Sequence, residues 1–209
     1  MTRKVVVGLV CLCGVLADSS LAVTRYVSPS GGNTPPYTSW GTAARRIHDA
    51  VNVAVDGDVV LVTNGTYGLN ADIMVNPQIT IQSVNGPAST IVDGSNTVRC
   101  FTLNNYNITL KGFTLKNGFS GVGGGGVRMA YGGTLRNCII RSNRADDGGG
   151  IYTGSATCMI ASCTIEGNYA SGGGGGVYLG PYAWVYDCAI IDNRANNTGG
   201  GLWAQDLSR

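Results

Sequence analysis

The chain has 209 residues, 44% of them hydrophobic and 12% charged, with a formal charge of +2. That is enough for one sizeable domain and too apolar for a disordered chain. The 33 glycines cluster without a period of three, which excludes collagen, and no basic run or patch points to nucleic acid.

In chain order, residues 1–22 read as a signal peptide. Arg3 and Lys4 form a basic start, and residues 5–17 are apolar but too short to span a bilayer core of about 30 Å. Ser20-Leu21-Ala22 supplies small residues before an expected cut at Val23. No later stretch is apolar for long enough to form a transmembrane helix. The expectation is an exported chain with no span in its mature form, whether extracellular, periplasmic or on the outer cell surface. Five cysteines would remain after cleavage, Cys100, Cys138, Cys158, Cys163 and Cys188, and an odd number cannot pair fully within one chain.

Residues 23–57 form an N-terminal segment. Within it, residues 39–54 carry Trp40, Ala43, Ala44, Ile47, Ala50, Val51 and Ala54 at near-helical spacing. This predicts one amphipathic helix, placed to cap the open end of the downstream strands. Those strands are short β-rich runs: Val59-Val60-Leu61-Val62, Ile79-Thr80-Ile81, Thr90-Ile91-Val92 and Phe101-Thr102-Leu103. They end at turn signals such as Asn64-Gly65 and Asp93-Gly94.

From Leu110 the chain repeats. Segments start at Leu110, Leu135, Ile160 and Val185, each 25 residues after the last. At matching places stand Phe113, Cys138, Cys163 and Cys188, then Leu115, Ile140, Ile165 and Ile190, then Gly118, Asn143, Asn168 and Asn193. A glycine run and a single aliphatic close each unit, at Val127, Ile151, Val177 and Leu202. The apolar runs are too short for helices and suit brief strands. One such strand cannot bury its apolar face alone, whereas stacked coils can, each pairing in parallel about 4.8 Å from the next. The predicted fold is all-β, a parallel β-helix over residues 58–209. Asn143, Asn168 and Asn193 would hydrogen-bond from coil to coil at a turn. The stretch from Leu202 to Arg209 stops in mid-coil, so this end is read as truncated. Either the natural chain continues or another chain covers the edge.

These motifs carry two resemblances. Gly148-Gly149-Gly150-Ile151, Gly174-Gly175-Gly176-Val177 and Gly199-Gly200-Gly201-Leu202 resemble the Gly-Gly-Ala-aliphatic motif of polymorphic outer-membrane proteins, with Gly in place of Ala. The segments ending at Asn143, Asn168 and Asn193 resemble their Phe-x-x-Asn partner, with Ile in place of Phe. The N-terminal half, through Tyr26-Val27-Ser28, the Trp40 segment, Asp56-Gly57-Asp58 and Asn64-Gly65-Thr66-Tyr67, is similar to the opening of secreted pectate-lyase-like proteins. The resemblance implies a right-handed β-helix in a secreted or cell-surface setting, as an adhesin or a carbohydrate-active enzyme.

The candidate chemistry is sparse. Cys138, Cys163 and Cys188 share one inward register at about 4.8 Å, while a disulfide wants about 3.8 Å between Cβ atoms. A ladder of free thiols is therefore expected, and three soft ligands on a line do not make a metal site. His48, the single histidine, has no partner for a catalytic triad. Asp146-Asp147 offer paired carboxylates, but they precede a glycine run, and the next coils carry Ser171-Gly172 and Asn196-Asn197 there, so they read as a solvated turn. Asp187, Asp192, Arg141 and Arg194 are raw material for a calcium-dependent lyase without forming a recognisable constellation. The glycine runs lack the Lys of a phosphate loop and the Asp of a calcium-binding roll.

The most suggestive feature is a row that strand alternation points outward: Arg128, Tyr152, Tyr178 and Trp203. Aromatic faces stack on apolar sugar faces, so Tyr152, Tyr178 and Trp203 are candidate contacts for a polysaccharide or surface glycan. The plainer reading of the same row is a cross-strand ladder that only stabilises the sheet. Two functional readings result. One is a structural or adhesive module needing no cofactor. The other is the N-terminal fragment of a polysaccharide lyase or glycoside hydrolase, with Ca²⁺ required only in the lyase case. No catalytic residue can be named for either.

Overall fold

A computed structural model describes residues 21–154 and 157–205. The expected signal segment lies outside these residues except for Leu21 and Ala22. From Val59 on the chain winds so that each coil gives one strand to each of three parallel sheets, and Thr24–Val27 adds an edge strand to the first. The first sheet holds seven strands: Thr24–Val27, Val59–Val62, Thr80–Ser83, Thr109–Lys111, Gly133–Arg136, Cys158–Ala161 and Trp184–Tyr186. The second holds six: Gly65–Gly68, Thr90–Asp93, Thr114–Lys116, Ile139–Arg141, Thr164–Glu166 and Ala189–Ile191. The third also holds six: Ile73–Val75, Phe101–Leu103, Val127–Met129, Ile151–Thr153, Val177–Leu179 and Leu202–Ala204. A narrow fourth sheet joins Arg144–Ala145, Tyr169–Ala170 and Arg194–Ala195 at a corner.

The register is the one the repeat predicts. Leu110, Leu135, Ile160 and Val185 pair strand to strand, as do Leu115, Ile140, Ile165 and Ile190. Val127, Ile151, Val177 and Leu202 form the third column. These columns converge on one core with Ile73, Ile81, Phe101 and Phe113. Each fully buried aliphatic contributes about 1.5–3 kcal/mol, so the inward columns dominate the stability of the inner coils, while Val185, Ile190 and Leu202 of the last coil are only partly buried.

The corners use polar side chains. Asn143 Nδ2 donates to Leu115 O at 3.1 Å and to Asn168 Oδ1 at 3.0 Å. Asn168 Nδ2 repeats the pattern one coil on, to Ile140 O and Asn193 Oδ1, both at 2.9 Å. Inside the coil these amides take backbone groups that water cannot reach. At the next corner the glycine runs are packed too closely for side chains. A Cβ on Gly150 would sit 2.7 Å from Gly176 O and 3.0 Å from the Asn168 amide.

The N-terminal segment departs from expectation. Helix forms only over Ile47–Asn52, not over residues 39–54. Ser39 and Thr42 exchange side-chain bonds to each other's backbone N–H, both 3.2 Å, which favours a turn over a helix. Ala44 then runs extended beside Val27, with Ser28 N donating to Ala44 O at 2.8 Å. Ala43 and Ala44 are buried as extended chain, while Ile47, Ala50 and Val51 are buried by the short helix. Trp40 is left on the turn, 42% exposed. The strands Thr24–Val27 and Ile73–Val75 and the two-residue strands of the fourth sheet carry too little pattern to be anticipated.

An ion pair ties this segment to the stack. Arg25 Nε donates to Asp58 Oδ2 at 2.7 Å, and Asp58 also accepts from Val23 N at 2.8 Å and Val55 N at 3.0 Å. Arg25 Nη1 donates to Pro36 O at 3.0 Å. Burial works against the Asp58 charge. The hydrogen bonds from Val55, Val23 and Arg25 outweigh it and hold the carboxyl below the ordinary carboxylate range.

Candidate functional site

The outer face of the third sheet brings together most of the chemistry. Arg128, Tyr152, Tyr178 and Trp203 pair directly across neighbouring strands, in the same row as Met74 and Thr102. Alternation fixes their direction, since Val127 and Met129 on either side of Arg128 point into the core. The Tyr152 and Tyr178 rings stack with centroids 4.7 Å apart and planes 19° from parallel. Tyr178 and Trp203 continue the stack at 4.5 Å and 34°. The ring faces are thus turned along the stack toward one another. The three side chains are half-buried, and neither the two phenol hydroxyls nor the indole N–H has a hydrogen-bond partner among the described residues. Burial, then Tyr152 and Asp147, push the Tyr178 hydroxyl above its ordinary pKa.

A depression of about 230 Å³ opens at the Tyr152 end of the row, lined by Val122, Gly123, Arg128, Asp146, Asp147 and Tyr152. The ring of Tyr152 lies over Gly123, where a Cβ would come within 2.6 Å of it. Each carboxylate gives one oxygen to the next coil. Ser171 Oγ bonds Asp146 Oδ1 at 2.9 Å, and Gly173 N donates to Asp147 Oδ1 at 2.8 Å. Each second oxygen is unengaged among the described residues. Arg128 makes no ion pair among the described residues.

The wall of this depression is fixed from below by Arg99. Its guanidinium donates to Gly124 O at 2.7 Å, Gly123 O at 2.9 Å, Ser120 Oγ at 2.7 Å, Thr102 Oγ1 at 2.9 Å and Asp72 Oδ2 at 3.0 Å. Thr102 Oγ1 also donates to Asp72 Oδ2 at 2.7 Å, while Asp72 Oδ1 is buried without a partner. Desolvation lowers the Arg99 pKa, opposed by Asp72. Five hydrogen bonds from one planar cation hold the glycine loop in place. Arg99 has no distinguishing signal in the sequence, because its partners come from separate segments of the chain.

The other sequence candidates lie elsewhere. Cys138 and Cys163 are buried, Cys188 is half-buried, and all three are free thiols at the corner between the first and second sheets. Their Sγ atoms lie 3.2 Å from Arg136 O, Ala161 O and Tyr186 O, each two residues upstream. Cys100 and Cys158 are also free and buried, and burial pushes their thiols up to about 12 and about 11. His48 Nε2 sits 3.0 Å from Ala71 O near the short helix. Arg141 and Asp192 share a shallow surface with Glu166, but Asp187 and Arg194 do not line it. Among the described residues no group of three or more His, Cys, Asp or Glu is arranged to hold a metal ion. No described helix is long and apolar enough to cross a membrane.

Two solved chains are similar to this one. One is a pectin methylesterase in complex with a hexasaccharide, 12% identical, covering 90% of this chain and 68% of that one at a TM-score of 0.46. The other is the pectin methylesterase from Aspergillus niger, 12% identical, covering 91% and 83% at 0.40. Likeness at this level bears on neither activity nor substrate. No curated protein matches the chain. The model of the right-handed β-helix region matches residues 76–209. With its register of parallel coils and this match over most of its length, the chain belongs to the right-handed β-helix family.

Proposed function

We propose that the chain is a carbohydrate-binding β-helix module of a secreted or cell-surface protein, and that it holds an extended polysaccharide along the outer face of the third sheet. The observation that carries this is the outward row itself. Tyr152, Tyr178 and Trp203 repeat at the coil spacing, with polar tips free, and lead into the depression at Arg128, Asp146 and Asp147. A polymer laid along the stack meets the same kind of edge and tip at each coil. Its hydroxyls find two phenols, an indole N–H and then the unengaged carboxylate oxygens and guanidinium of the depression. The rigid sheet holds these groups in place before binding, which lowers the ordering cost of a long, weak contact.

This role is adhesive and needs no catalytic group. Co-sedimentation with insoluble cellulose, chitin and xylan tests it. The wild-type chain should pellet with at least one of them, and Tyr178→Ala should reduce the pelleted fraction at least several-fold. Pelleting that is equal for both chains would remove the row from the binding face.

A further inference from the structure

The N-terminal coils carry a second feature that the outward row does not touch. A broad groove of about 620 Å³ lies beside Trp40, lined by Ser28, Pro29, Ser30, Thr63, Asn64, Val84 and Asn85. We infer that this groove is a separate binding site for a neutral sugar segment, with Trp40 as its stacking platform.

Trp40 is held from two sides. Its ring packs edge-on against Tyr26, with centroids 4.5 Å apart and planes at 67°. That contact leaves ring surface exposed while fixing its angle. The backbone beneath is equally fixed. Ser39 and Thr42 lock the turn through their side chains, and Gly32, Asn33 and Thr34 donate to Gly41, Ala43 and Thr42 carbonyls at 3.1, 2.9 and 3.0 Å. A rigid, exposed indole offers contact area at little entropic cost. In this it differs from the Tyr152 row, where the rings lie face against face.

The lining decides the class of ligand. None of the groove residues is ionisable. Asn85 Nδ2 donates to Asn64 Oδ1 at 2.8 Å, which leaves the Asn85 carbonyl and the Asn64 amine for a ligand. The Ser28 and Ser30 hydroxyls lie 3.2 Å apart. Donors and acceptors therefore both lie beside an indole, which suits a pyranose with its apolar face and ring of hydroxyls. A uronate or phosphate would find no cation here. The volume lies within the roughly 300–1,000 Å³ of small-molecule sites and accommodates a short segment of a chain.

The test uses the full chain carrying 5-fluorotryptophan, which gives three fluorine resonances, one for each tryptophan. Trp40→Phe assigns the first. The probes are cellohexaose, xylohexaose and mannohexaose, with hexagalacturonate as the charged counterpart. At least one neutral hexaose should shift the Trp40 resonance saturably, and hexagalacturonate should not. Calorimetry of that hexaose should show affinity lowered about tenfold or more in Trp40→Ala, with its circular dichroism unchanged. An unmoved Trp40 resonance with all three neutral probes would overturn the inference. So would a Trp40 response to hexagalacturonate alone. A shift confined to Trp203 would support the third-sheet face while removing this groove, so the two sites fail separately.

Discussion

Tyr178 stacks on Tyr152 with ring centroids 4.7 Å apart and its other face against Trp203 at 4.5 Å. Removing this middle ring breaks two aromatic contacts. Tyr178→Ala should destabilise the chain by about 1–3 kcal/mol, taking each pair at about 0.5–1.5 kcal/mol. Tyr178→Phe keeps both contacts and should stay within about 0.5 kcal/mol of wild type. Urea unfolding of the two variants reads the difference. Equal losses would mean that the hydroxyl is engaged within the protein.

Asn168 is the middle rung of the buried amide column. It accepts from Asn143 N at 3.0 Å and donates to Ile140 O at 2.9 Å. Asn168→Ala leaves that N–H and that carbonyl unpaired, a loss of about 2–4 kcal/mol. Asn104→Ala, which breaks only the exposed bond to Asn76, should cost less than about 1 kcal/mol. Chemical denaturation of both variants compares them. Similar losses at both sites would deny the buried column its special role.

Gly118 stands where later coils carry Asn, so Gly118→Asn resembles a repair of the repeat. The structure predicts the reverse. A Cβ at Gly118 would overlap the Gly125 carbonyl and lie 2.9 Å from Asn143 Oδ1, which already accepts from Gly118 N. Gly118→Asn should lower the thermal midpoint by several degrees, corresponding to about 1–3 kcal/mol of overpacking. A raised midpoint would contradict the observed corner geometry.

The buried Arg25–Asp58 pair sets an acid limit. The Asp58 carboxyl is held below its ordinary range, so its stabilisation is complete above the unfolded pKa of about 3.9. It is lost as pH falls through the lower folded value. Asp93 is shifted the same way, burial being outweighed by Ser95 N, Asn117 and Lys116. Stability should therefore fall below about pH 4, and Asp58→Asn should make that fall shallower. Arg25→Ala, which strands the carboxylate, should cost about 3–5 kcal/mol at neutral pH. An unchanged acid limb in Asp58→Asn would rule the pair out as its source.

The four buried cysteines, Cys100, Cys138, Cys158 and Cys163, should resist iodoacetamide at pH 8 while the chain is folded, and the half-buried Cys188 should be the first to react. Burial keeps Cys100 and Cys158 protonated, with thiols pushed up to about 12 and about 11. All five should react in unreduced, denatured protein. Two or fewer reactive thiols there would show that the cysteines had paired.

The coils are legible in the sequence because one side chain recurs at one place. Leu110, Leu135, Ile160 and Val185 pair as the sequence spacing requires, and the Arg128 to Trp203 row points outward as alternation requires. Trp40 is deceptive for a physical reason. Its apolar neighbours have helical spacing, but Ser39 and Thr42 commit their hydroxyls to a local turn. The depression is hidden because Gly123 comes from the coil before that of Asp146 and Tyr152 and meets them through loop packing, with Arg99 holding the loop from beneath. The stacking of Tyr152 and Tyr178 also depends on rotamers that strand alternation does not specify.

Polysaccharide binding at the third-sheet face is tested most directly on a dense glycan array, probed with wild type and with Tyr152→Ala/Tyr178→Ala/Trp203→Ala, each checked for native circular dichroism. Wild type should bind a set of polymeric glycans, and the triple variant should lose that set. Retention of the same glycans by the triple variant, or no glycan bound by wild type, would contradict a binding role for this face.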